Sequence, residues 1–112
     1  MITKVVKLRS MCTIEKFQYH LNYFINTVFH KSRYARIEVK LITSTGEMIV
    51  IGKPYYMDFN FESEIRGFKS YLSQNYEGIF EVNEIKQIVF THVQCTRKAF
   101  LDHLSQIKEN KI

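Results

Sequence analysis

The hydrophobic period changes once in the amino-terminal half of the chain, and that change dictates a mixed fold. Ile14, Phe17, Leu21, Phe24 and Val28 recur at spacings of 3, 4, 3 and 4, so they share one face of a helix. Ala35, Ile37, Val39 and Leu41 then alternate with Arg36, Glu38, Lys40 and Ile42, the pattern of a strand with one buried face. Neither pattern can be satisfied by the other element, so helix and strand must share one core. Thr13 precedes the helical run, where its hydroxyl can accept from a first-turn amide. Phe17, Tyr19, Tyr23, Phe24 and Phe29 make the helix strongly aromatic, and it is expected to supply much of that core.

The remaining elements follow from the same rules. Ile2–Leu8 is a strand candidate, with Val6 and Leu8 continuing the row begun by Ile2 and interrupted by Lys4. Thr43-Ser44-Thr45-Gly46 is a hairpin loop, and Glu47–Ile51 returns from it. Met48, Ile49, Val50 and Ile51 are all apolar, which predicts a strand covered on both faces and ended by Gly52 and Pro54. Phe61, Ile65, Phe68 and Leu72 stripe a second helix from Phe61 to Gln74, with Asp58 or Asn60 as its cap and Asn75 and Gly78 as its stop. Ile85–Val93 is the last strand, and Phe100, Leu104 and Ile107 stripe a final helix after Thr96.

The order β-α-β-β-α-β, then α, predicts an α+β fold of ferredoxin-like type. In it a four-stranded antiparallel sheet has two helices on one face and its first and third strands at the centre. With 112 residues and no linker or repeat, residues 1–112 form one domain. The chain is 46% hydrophobic with one proline, so it is no disordered tail. No apolar run is long enough to span a bilayer, and none has the form of a secretory leader, so no membrane partner is expected. An intracellular location, cytoplasmic or organellar, is expected. Phe, Tyr, Met, Ile, Asn and Lys make up 50 of the 112 residues. Their codons are A/T-rich, which points to a viral, plasmid or organellar genome.

Residues able to carry chemistry are scattered. His92-x-x-Cys95 is the only short pair among Cys12, Cys95, His20, His30, His92 and His103, and zinc sites repeat such pairs, so no metal is expected. Neither cysteine lies in a nucleophile signature, no glycine-rich phosphate loop exists, and Asp58, Glu62 and Glu64 sit where a helix amino terminus favours acids. The chain is therefore expected to be neither an enzyme nor a cofactor carrier.

Charge is informative. The formal net charge of +5 divides into +6 over residues 1–57, −4 over 58–84 and +3 over 85–112. Lys31, Arg33, Arg36 and Lys40 surround Tyr34, and Lys4, Lys7 and Arg9 join them if the first strand is adjacent. Such a patch suits DNA or RNA phosphates, with Tyr34, Tyr55 or Tyr56 available to stack on a base. The third strand lacks the rings of an RNA-recognition motif, so contact without sequence preference is the expectation. The alternative is a protein-interaction or homodimerisation module, because the sheet looks apolar on both faces while two helices cover only one.

Ile37-Glu38-Val39-Lys40-Leu41, Thr45-Gly46-Glu47 and Tyr56-Met57-Asp58-Phe59-Asn60 form a pattern that continues through Ile65, Phe68-Lys69-Ser70-Tyr71-Leu72 and Ile85-Lys86-Gln87-Ile88-Val89-Phe90. It resembles the region upstream of the exonuclease in protein-primed family B DNA polymerases of linear organellar plasmids. The likeness covers about half the chain and includes no exonuclease or polymerase motif. It implies an accessory segment of a replication apparatus, without polymerase activity of its own.

Overall fold

The computed structural model describes residues 1–9, 12–29 and 33–109. Five strands and four helices follow one another as β1 (Ile2–Lys7), α1 (Ile14–Phe29), β2 (Tyr34–Thr43), β3 (Met48–Val50), β4 (Tyr55–Asp58), α2 (Glu62–Tyr76), α3 (Ile79–Val82), β5 (Ile85–Gln94) and α4 (Arg97–Glu109). The strands make one open sheet in the order β1-β5-β2-β3, and β4 also pairs with β2. Every pairing is antiparallel.

The α+β expectation stands, but the strand order and count differ from it. β2 and β5 are central, and β1 lies at an edge. β1 and β2 both run antiparallel to β5, so α1 joins two parallel strands with β5 slotted between them. The first and third strands are therefore not the central pair. The apolar run Met48–Ile51 is not covered on both faces, because Met48 and Val50 are 58% and 48% exposed on an edge strand. That strand ends before Gly52 and Pro54 as expected, but a further strand, β4, follows them. β3 pairs with Lys40–Ile42 and β4 with Tyr34–Ile37, so the two pieces share one position beside β2.

One face of the sheet holds the core. Register places Ile37, Val39 and Leu41 opposite His92, Phe90 and Ile88, all buried. α1 lays Phe17 and Phe24 on Phe90, with ring centroids 6.2 and 5.0 Å away, as its 3-4-3-4 spacing requires. α2 lays Phe68 on Tyr55 at 5.2 Å, and α3 brings Phe80 to Phe17 at 5.3 Å. Tyr19 and Tyr23 of α1 point outward, so only part of that helix's aromatic content enters the core.

Termini are set locally. Thr13 Oγ1 accepts from the Lys16 amide at 3.2 Å, as its position predicts, and Thr96 Oγ1 accepts from the Ala99 amide at 3.1 Å. α2 instead starts at Phe61 with no side-chain cap. Asp58 is diverted, because its Oδ1 accepts from the Asn60 amide at 3.0 Å and from Arg33.

The interruption at Gly52 depends on one side chain. Tyr71 Oη accepts from the Lys53 amide at 2.6 Å and donates to the Lys53 carbonyl at 3.3 Å. Gly52 has φ +68°, and a Cβ there would meet Tyr71 Oη at 2.7 Å. Gly46 in the hairpin has φ +86° but open space around it. Gly46→Ala should therefore cost about 1 kcal/mol from backbone strain alone. Gly52→Ala should cost at least about twice as much, because Tyr71 must also move. Chemical denaturation of the two variants checks the ranking.

Candidate functional site on the open side of the sheet

Alternation along the strands sends a second set of side chains away from α1 and α2. Cross-strand register arranges them in rows: Val5–Val89–Lys40–Val50, Lys7–Gln87–Ile42–Met48, Thr3–Thr91–Glu38 and Val93–Arg36–Tyr56. With strands about 4.8 Å apart, the surface spans about 14 Å from β1 to β3. α4 covers only its Tyr34–Tyr56 end. Phe100 lies 5.2 Å from Tyr34, and His103 stacks on Tyr56 at 3.9 Å. The rest is open, a mixture of Val, Ile, Thr and Met with three cations.

Charge is sorted by layer, which the linear segments only hinted at. Among residues with described side chains, the open face and α4 carry Lys7, Arg36, Lys40, Arg97 and Lys98 against Glu38 and Asp102, apart from the Arg33–Asp58 pair. The helical layer on the opposite side carries Glu15, Glu62, Glu64, Glu77 and Glu81 against Lys16, Arg66, Lys69 and Lys4, which the register sets opposite Phe90. The sheet thus separates a cationic side from a nearly balanced one.

The residues singled out from the sequence meet different fates. Lys7, Arg36 and Lys40 project from the open face, and Arg9 is exposed just beyond β1. Lys40 Nζ lies 3.2 Å from Glu38 Oε1 on the same strand face, a half-buried ion pair. Lys31 falls outside the described residues. Arg33 is already engaged, with Nε 3.3 Å from Asp58 Oδ1 and Nη2 3.5 Å from Oδ2. Its Cζ also sits 4.9 Å over the Tyr34 ring.

No expected stacking tyrosine is open. Tyr34 lies between Arg33 and Phe100, Tyr56 carries His103, and Tyr55 faces the other layer against Phe68 and Tyr71. Sequence reasoning missed this because the partner of the Phe100 stripe is set by tertiary packing. Tyr55, Tyr71, Tyr56, Glu64, Lys53 and His103 line a cleft of about 480 Å³ between α2, β4 and α4. Burial, then Glu64 and Tyr71, push the Tyr55 hydroxyl up, so it is no better a proton donor than an ordinary phenol.

The other reactive groups are muted too. Burial raises the Cys12 thiol against the pull of Lys16, and raises Cys95 against that of Arg36, so neither is an activated thiolate. Glu62 and Glu64 occupy the first turn of α2, where the helix dipole favours them. No group of three His, Cys, Asp or Glu able to hold a metal exists among the described residues, and no described helix is long and apolar enough to cross a membrane. Comparison with protein-family models, with curated proteins and with solved structures returns no match.

Two variants probe this framework. His92 is buried in the core, and burial first, then the charged chain amino terminus, lowers its pKa below the ordinary 6.5. The unfolded chain therefore binds that proton more tightly. His92 gives its full share of stability above pH 6.5, and the share shrinks as pH falls from 6.5 toward the lowered value. His92→Leu should flatten that part of a stability–pH curve measured by denaturant titration. Asp58→Ala should cost about 1–3 kcal/mol, because a buried acceptor of the Asn60 amide and of Arg33 is lost. Thermal unfolding with calorimetry tests that value.

Proposed function

We propose that this chain is a non-enzymatic domain that contacts nucleic acid, without sequence preference, through the cationic open side of its sheet. The observation that carries the reading is the sorting of charge across the sheet. Lys7, Arg36 and Lys40 share one exposed face, with Arg9 at its rim and Arg97 and Lys98 on the adjoining helix. An extended array of cations on one face of the sheet suits a phosphate backbone, and the helical layer, where acids and bases nearly balance, offers no competing array. Among the described residues the open face of the sheet offers no free ring for base stacking, and the sequence has no glycine-rich loop, so phosphate contact without base reading is the chemistry available there. The likeness to the amino-terminal region of protein-primed polymerases supports an accessory place in replication. Exposed Val5, Met48 and Val50 favour a second reading, a module that associates with protein surfaces.

Fluorescence anisotropy with mixed-sequence DNA and RNA at low salt tests the first reading. Three to four neutralised phosphates predict that log K falls against log salt with a slope of about −3. Arg36→Glu with Lys40→Glu should weaken binding to every sequence alike and flatten the slope by about 2. Absence of binding at low salt, or binding unchanged in the double variant, overturns the proposal.

A further inference from the structure

We infer that β1 is a pairing edge for a second copy of this chain, joined antiparallel across a two-fold axis at Val5 so that two sheets become one. The Leu8 amide donates to the Lys86 carbonyl at 2.8 Å, and this bond fixes the phase of the ladder. Residues 2, 4, 6 and 8 turn their backbone groups toward β5, so Thr3, Val5 and Lys7 turn theirs outward. No described residue meets those outward groups. The opposite edge offers less, since β3 has three residues and the Gly52–Pro54 interruption separates it from β4.

The sequence of β1 is self-complementary in one register. Centring the axis on Val5 places Thr3 opposite Lys7 of the second copy, Val5 opposite Val5, and Lys7 opposite Thr3, so all the outward amides and carbonyls are used. On the open face the two Val5 side chains meet. On the helical face Ile2 meets Leu8, and Lys4 meets Val6. Moving the axis to Lys4 sets like charges face to face, and moving it to Val6 leaves Thr3 without a strand partner. Lysines normally protect an edge strand. In the Val5 register each lysine faces an uncharged residue.

Space and side chains above the edge suit a second strand. Two adjoining cavities run along it, one of about 350 Å³ among Lys4, Val6, Tyr19, His20 and Tyr23, the other of about 190 Å³ beside Ile2 and Thr27. Tyr19 and Tyr23 are 67% and 59% exposed there. α1 packs over β5, so in the joined sheet the two copies of α1 would lie three strand spacings apart, about 14 Å. That exceeds the 8–10 Å of helices in direct contact, and outward tyrosines are of a size to fill it. This pairing rests on the edge backbone and holds whether or not the open face contacts nucleic acid.

Sedimentation equilibrium of the nucleic-acid-free chain across the micromolar range tests it. The expected mass is twice 13.4 kDa. Four lysines gather at the seam, so association should strengthen with added salt, opposite in sign to phosphate binding. Val5→Pro removes an outward amide that β5 does not use, so the variant should fold, as circular dichroism will show, yet dissociate at least about tenfold more readily. Val5→Lys, which sets like charges on the axis, should do the same, while Met48→Lys on the far edge should not. A monomer at every concentration, or a dimer unchanged by Val5→Pro and Val5→Lys, overturns the inference.

Discussion

The antiparallel ladder between β2 and β5 is the constraint on which the other parts depend. It joins two ten-residue strands and interleaves the two crossover units, since β5 must lie between β1 and β2 for α1 to span them. It also aligns Ile37, Val39 and Leu41 with His92, Phe90 and Ile88 on one face. Phe90 then receives two phenylalanines from α1, and α2 and α3 close the rest of that layer. Because side chains alternate, the same ladder that builds the core places Arg36 and Lys40 on the opposite surface. A one-residue slip would exchange the two faces, so core burial and the cationic surface are one choice of register.

Two devices narrow what the second surface can do. α4 occupies the end where aromatic residues are concentrated, and the Arg33–Asp58 pair withdraws a cation from the same end. What stays open is a flat field of β-branched side chains with cations spaced across it. A polymer recognised there would be held by its charge and not by its bases. The long edge of β1 borders that field, so pairing at the edge would double the field's length while leaving its cations exposed.

Much of the fold was legible because helix and strand periods depend only on local geometry. The Ile14–Val28 stripe, the Ala35–Leu41 alternation, the hairpin glycine and the Gly78 stop all stand where the pattern predicts. Met48–Ile51 failed for a physical reason: four apolar residues in a row are equally compatible with a central strand and with a broken edge. Ile49 and Ile51 face the core, whereas Met48 and Val50 face outward. β4 was hidden by Gly52 and Pro54, which end most strands but here make a turn held by Tyr71, a partner nineteen positions beyond Gly52.

The sequence by itself determined the type of most elements, one shared core and a basic amino-terminal half. Periodicity, residue type and charge are properties of neighbours along the chain, so they needed no contacts. Only the tertiary structure decided which strands are central, that Tyr34 and Tyr56 lie under α4, that Arg33 is bound by Asp58, and that Lys7 joins Arg36 and Lys40 on one surface. Those outcomes turn on pairing between segments distant in sequence, such as β1, β2 and β5, and on contacts such as those of Phe17 and Phe24 with Phe90, which no local pattern specifies.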